Sequence, residues 1–146
     1  MNDADQTALR AYGDLFETLS ADTLERLDDL VHQDVLFRDP FHEVRGRDAM
    51  KRIMAGMFRA FEAPRFSVRD IAMSESRGYL EWRFESGEVG GSATAFDGMS
   101  AVTFGPDARI LTHLDYWDAA GAIHAHLPLI GPVIRMINRT IAKRTG

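Results

Sequence analysis

Apolar residues recur at two different periods along this chain, dividing it into a helical first part, a strand-rich middle and a helical tail. Leu9, Tyr12, Phe16 and Leu19 stand at helical spacing and predict an amphipathic helix from about Asp5 to Leu19. Ser20 or Asp22 can cap a short second helix carrying Leu24, Leu27 and Leu30. The apolar run Val35, Leu36 and Phe37 reads as a short strand ending at Asp39-Pro40. After Gly46, the stripe Met50, Ile53, Met54, Met57, Phe58 and Phe61 predicts a third helix, closed by Pro64. From Phe66 the pattern predicts consecutive antiparallel strands over about Phe66 to Ser74, Tyr79 to Ser86, Ala93 to Phe104 and Arg109 to Trp117. The turns between them carry Ser/Arg/Gly, Gly-Glu-Val-Gly-Gly and Gly-Pro-Asp-Ala. Helical spacing resumes at Ile130, Val133, Ile134, Ile137 and Ile141, interrupted by Pro128, Gly131 and Pro132.

Helices followed by a run of strands is an α+β order, in which one curved antiparallel sheet wraps helices into a cone. A cone of this kind encloses an apolar interior, the usual setting of a small-molecule pocket. Period-two geometry groups His113, Asp115 and Trp117 on one face, Glu81, Arg83 and Glu85 on another, and Phe96, Gly98, Ser100 and Val102 on a third. Faces that mix ionisable and aromatic groups are either the solvent side of a sheet or the lining of a pocket. If they line a pocket, Leu80, Trp82, Phe84, Leu114 and Tyr116 fall on the outer face. That patch exceeds what a monomer tolerates, so a two-fold homodimer is expected.

The 146 residues, 45% of them hydrophobic, suit a single domain over 1–146 with an amphipathic helical tail over about 119–146. No window approaches the roughly 18 apolar residues of a membrane span, and the polar, acidic N-terminus resembles no targeting peptide. Without cysteine there is neither a disulfide framework nor a thiolate metal site, and a cytoplasmic location is the expectation. A net charge of −5 argues against a nucleic-acid partner. No acid follows Asp118, whereas Arg135, Arg139, Lys143 and Arg144 make the tail basic. His124 and His126 are two apart on a helix, and His42 and His113 lack a local partner, so no metal is expected. Ser100 lacks a nucleophile elbow, the glycines at 87, 90 and 91 lack a phosphate-loop context, and no cofactor is expected.

Two acids stand out as candidate bases. Asp39, fixed before Pro40 and flanked by Phe37 and Phe41, has no basic residue at an assured distance, and burial disfavours a charged carboxylate. The competing reading is a turn aspartate that accepts backbone hydrogen bonds. Asp115 is expected across the sheet from Arg83, as a pocket acid or as that arginine's structural partner. Asp118 is placed to cap the helix that follows. Tyr12 fits either a satisfied core tyrosine or a catalytic one. Phe16, Met54, Met57, Phe58, Phe96 and Trp117 are expected to shape an apolar pocket, with Glu85, Ser100 and His113 as its polar members.

The steps Phe37-Arg38-Asp39-Pro40, Gly46-Arg47-Asp48-Ala49 and Leu114-Asp115-Tyr116-Trp117-Asp118, in this order of elements, resemble the SnoaL-like branch of the nuclear transport factor 2 superfamily. The resemblance runs from about Leu9 to Leu127 and implies the cone fold. Its ketosteroid isomerases imply Asp39 as the base and Tyr12 as a donor to the substrate carbonyl, with Ser100 where they carry a second acid. Its limonene-epoxide hydrolases imply a polar cluster of Arg83, Glu85 and Asp115. Its polyketide cyclases imply an acid on the last strand, matching Asp115. All three imply a carboxylate acting on a small, mostly apolar, carbonyl- or epoxide-bearing molecule. A non-catalytic binding or dimerisation module on the same fold is the alternative.

Overall fold

Helix α1 (Asp3–Thr18) buries Leu9, Tyr12 and Phe16, the face its spacing predicts, together with Leu15. The computed structural model describes residues 3–89, 92–126 and 129–145. The Gly90-Gly91 part of the expected turn, Leu127 and Pro128 lie outside the described residues. A 3-10 turn at Ala21–Arg26 runs into the single α-turn α2 (Leu27–Leu30), so the expected second helix is only half α-helical. Strand β1 (Val31–Arg38) and the short β2 (Glu43–Arg45) lead through Gly46 into α3 (Arg47–Ala60). Gly46 has φ 98°, a left-handed backbone that favours glycine at this corner. Then follow β3 (Arg65–Met73), β4 (Gly78–Val89), β5 (Ser92–Phe104) and β6 (Ile110–Trp117). The chain ends in α4 (Ala119–Ala122), a 3-10 turn at His124–His126 and α5 (Gly131–Thr145). Asp118 caps α4 as expected: its Oδ1 accepts from the Gly121 N–H at 2.9 Å.

The six strands form one sheet in the order β2-β1-β6-β5-β4-β3. β3 to β6 pair antiparallel in sequence order, as the turn signals predict. The sheet is nevertheless mixed, because β1 lies parallel to β6, with Phe37 opposite His113. No hairpin fixes the relative direction of these two strands, since α3 and four strands separate them in the chain.

The face assignment on β4 is the main correction to the expected fold. Leu80, Trp82 and Phe84 are buried inside the cone, and Glu81, Arg83 and Glu85 point outward. The ladder enforces this, because Leu80, Trp82 and Phe84 stand directly opposite Ser100, Gly98 and Phe96, which share the inner face of β5. Energetics agree. Burying a large apolar side chain contributes about 1.5–3 kcal/mol, whereas an exposed ion pair contributes about 1 kcal/mol at most. Arg83 accordingly reaches Asp97 at 3.0 Å and Glu85 at 3.5 Å on the outer surface, and its charge is further favoured by the Asp97 bond. The broad outer apolar patch expected to drive dimerisation is therefore absent as drawn: of its large side chains, Tyr116 is the exposed one, beside Met99.

α3 closes the cone, burying Met50 and Met54. Its other side is tied to the 3-10 turn and α2 by Lys51, which reaches Asp28 at 2.6 Å and Glu25 at 2.9 Å, and by Arg47, 2.7 Å from Asp28. The Lys51 bond lowers the Asp28 carboxyl below its usual range.

The inner face is packed to contact at Gly98, where an added Cβ would overlap the indole ring of Trp82. Gly98→Ala is expected to cost about 1–3 kcal/mol in urea unfolding, the range for overpacking a core. The tryptophan emission should shift at the same time, because Trp82 must move.

Candidate functional site

The inner sheet face, α3 and the loop Asp39–His42 enclose a cavity of about 550 Å³, the size of a drug-like ligand. Its walls are mainly apolar: Phe16, Phe37, Ile53, Met54, Met57, Phe61, Phe66, Trp82, Phe84, Phe96 and Trp117 all line it. Phe96 stacks on Trp117 at 4.4 Å between centroids and 21° between planes, and on Phe84 at 4.9 Å and 29°. The three rings, stacked nearly parallel from one strand to the next, form a continuous aromatic wall.

Into this cavity points one polar chain that uses α1 and three neighbouring strands. Trp82 Nε1 donates to Ser100 Oγ at 2.8 Å, and Ser100 Oγ donates to Asp115 Oδ1 at 2.5 Å. On the other side, His113 Nε2 lies 2.6 Å from the same Asp115 Oδ1, and Tyr12 Oη lies 2.7 Å from His113 Nδ1. One assignment of hydrogens satisfies every member. Indole nitrogen only donates, so Ser100 accepts there and turns its own proton to the carboxylate. A neutral His113 with its proton on Nε2 donates to Asp115 and accepts from Tyr12. Both directions end on Oδ1 of an ionised Asp115, and among the described residues no hydrogen bond reaches Oδ2. Asp115 lines the cavity while its side chain is only 14% exposed. Tyr12 is fully buried behind it, and burial, followed by the charge of Asp115, pushes its phenol well above its ordinary value near 10.

The rim is built differently. Asp39 Oδ1 accepts from the main-chain N–H of Phe41 at 2.8 Å and of His42 at 2.7 Å, the turn geometry of an aspartate before proline. His42 Nδ1 lies 3.0 Å from the same oxygen and 3.1 Å from Oδ2. Asp39 was expected to be buried with no basic group near it; here a turn and an imidazole occupy its oxygens. His42 and Arg52 also line the cavity.

Of the residues singled out by sequence, Phe16, Met54, Met57, Phe96, Ser100, His113, Asp115, Trp117 and Asp39 come together on the cavity. Arg83 and Glu85 do not, because the inward turn of Trp82 and Phe84 puts them outside. The expected partnership of Asp115 with Arg83 is replaced by Asp115 with His113 and Ser100. Phe58 packs against the core and is not part of the lining. Tyr12 acts on the site only through His113. Sequence reading missed Trp82, whose N–H orients Ser100, and His42 and Arg52 at the rim. For Trp82, the cross-strand partner Gly98 was a usable signal, since a glycine opposite a tryptophan marks where a large ring lies across the sheet.

The state of Tyr12 gives a test by pH. An unfolded tyrosine ionises near pH 10, while folded Tyr12 keeps its proton to higher pH. The native state then holds more protons than the unfolded one, so this contribution is complete below about pH 10 and is lost as pH rises beyond it. The stability gap between the wild type and Tyr12→Phe in urea unfolding should shrink between about pH 9 and about pH 11.

The fold is shared with solved structures. A steroid delta-isomerase from Pseudomonas aeruginosa is 20% identical, with 97% of each chain covered and a TM-score of 0.65. An LEH-like epoxide hydrolase from M. tuberculosis is 17% identical, covering 82% of this chain and 88% of its own, with a TM-score of 0.66. TerC, co-crystallised with polyporic acid, is 16% identical, covering 82% of this chain and 95% of its own, with a TM-score of 0.69. No curated protein matches the chain in sequence. The model of the SnoaL-like domain matches residues 12–113, a span that begins at Tyr12 and ends at His113, the two residues joined behind Asp115. With most of its length matched, the chain belongs to the SnoaL-like domain family, on the nuclear transport factor 2-like fold.

Proposed function

We propose that the chain is a small-molecule enzyme that removes a proton next to a carbonyl of a mostly apolar substrate, with Asp115 as the base. The observation that carries this reading is the asymmetry of Asp115. One oxygen is saturated by Ser100 and His113, and the other is left to an apolar cavity. A carboxylate so held has one defined basic atom, and exclusion of water strengthens its action on a substrate C–H bond.

In the step proposed, the C–H bond breaks, its proton passes to Asp115 Oδ2, and its electron pair moves into the carbonyl, leaving an enolate oxygen. Tyr12 and Ser100, the donors implied by the resemblance, are engaged with His113 and Asp115, so the rim groups His42 and Arg52 take the role of stabilising that oxygen. The enolate then recovers a proton at another carbon, which is isomerisation, or attacks an internal carbonyl carbon, which is cyclisation. In the second case Asp115 returns its proton to the new alkoxide. His113 and Tyr12 are positioning residues that hold Asp115 in one orientation. An epoxide-hydrolase arrangement built on Arg83 and Glu85 has no support, since both lie outside the cone. The steroid delta-isomerase and the polyporic-acid complex among the structural neighbours fit the ligand class proposed.

The test is deuterium exchange at the carbon next to the carbonyl of a steroid ketone in D₂O, followed by NMR, with double-bond migration read by absorbance. Asp115→Asn is expected to slow exchange by about 10²–10⁴-fold, the usual loss for a general base. Asp39→Asn is expected to cost less, because its oxygens serve the turn. If such ketones quench the tryptophan fluorescence of the wild type yet no hydrogen exchanges, the chain is a binding protein and the enzymatic reading is wrong.

A further inference from the structure

We infer that α5 is a docking element for an anionic lipid surface, laid flat in the interface beside the cavity mouth. The helix has two opposed faces. Val133, Ile134, Ile137 and Ile141 fall on one side and Arg135, Arg139 and Lys143 on the other, with Arg144 following the apolar side in the last turn. Most of the apolar side is left open by the fold: Val133 is 49%, Ile137 48% and Ile141 54% exposed, and Ile134 is half-buried. α5 packs chiefly on α4 and the His124–His126 turn, both of them its neighbours in the chain. At 15 residues it is about 22 Å long, enough to lie in an interface and too short to cross a bilayer.

Charge selects the occupant. The tail carries four cations and no acid, so against a chain total of −5 the remainder carries −9. Two copies of α5 joined by their apolar sides would bring two such cationic segments together. The rest of a second copy offers little exposed apolar surface to cover the apolar side. Outside the tail, the exposed large apolar side chains among the described residues are Phe41 at the cavity mouth and Met99 and Tyr116 on the outer sheet face. A bilayer with anionic headgroups meets both needs, because it takes the apolar side into the acyl boundary and pairs the cations with phosphates. The −9 remainder is screened beyond about 8 Å at physiological salt, so it does not offset contacts made by the helix itself.

The position of the helix gives this docking a use. Phe41, on the cavity rim, contacts both Trp117 and the ring of His124, in the turn that precedes α5. A surface held by α5 therefore lies near the cavity mouth, where an apolar ligand dissolved in lipid can enter. This inference stands apart from the proposed reaction and holds for a binding protein as well.

The experiment is co-sedimentation of the full chain with vesicles of phosphatidylcholine containing phosphatidylglycerol, against phosphatidylcholine alone. Binding to the anionic vesicles should exceed binding to the neutral ones by at least about tenfold, each cation near the surface contributing a several-fold factor. The double variant Arg139→Glu, Lys143→Glu should lose most of that difference, and Ile137→Asp should weaken binding to both vesicle types. Circular dichroism should report an unchanged sheet in each variant, since α5 packs chiefly on α4 and the His124–His126 turn. Equal binding to both vesicle types, no binding, or binding that both variants retain overturns the inference. So does a homodimer, measured by sedimentation without lipid, that Ile137→Asp dissociates, because a second copy then covers the helix.

Discussion

Two hydrogen bonds converging on one oxygen of Asp115 are what the inside of this cone depends on. A carboxylate under an aromatic ceiling is costly unless its charge is met, and Ser100 and His113 meet it from neighbouring strand positions. Neither donor is free to turn away. Trp82 fixes Ser100 from β4, and Tyr12 fixes His113 from α1. The chain of bonds therefore ties the first helix to the sheet and places the acid in the same stroke. Removing a member behind the acid leaves a buried partner unsatisfied, so structure and reactivity are linked at this point.

The aromatic wall supplies the other half of the arrangement. Phe84, Phe96 and Trp117 come from three adjacent strands: Phe84 stands directly opposite Phe96, and Trp117, opposite Gly98, reaches Phe96 diagonally on the same face. Rings stacked this way hold one another in place, and α3 also lines the cavity with Met54 and Met57, thioethers that adapt to the outline of a guest. Gly98 is the concession the sheet makes to this wall, since only a missing side chain lets the Trp82 ring lie across β5. The result is a cavity with rigid walls on one side and a compliant one on the other.

At the mouth the balance changes from apolar to polar. The Asp39 turn orients His42, Arg52 stands on α3, and Phe41 bridges the rim to the tail. Carbonyl-bearing apolar molecules match this gradient, with the ring system inside and a polar end towards the rim. The charge division between the −9 remainder and the cationic helix follows the same axis of the chain, beginning where the last strand ends.

By itself the sequence determined the longer elements, their order and part of the lining. Helical spacing placed α1 and α3, turn chemistry placed the strands, and alternation grouped Phe96 with Ser100 on β5 and His113 with Asp115 and Trp117 on β6. These are local properties, since spacing and turn residues act within a few positions of the chain. Which face of β4 turns inward was a different kind of question. Glu81, Arg83 and Glu85 alternate with Leu80, Trp82 and Phe84 equally well in either sense. The answer came from cross-strand pairing with β5 and from the larger free energy of burying the aromatic set. The same holds for the two candidate acids. Pro40 marked Asp39 as a turn residue or a base, and only the approach of His42 showed where its oxygens go. Asp115 lost its expected arginine and gained His113 and Ser100, because hydrogen-bond partners across a sheet are set by register and parity. Both depend on contacts between residues far apart in the chain, where no local pattern reaches.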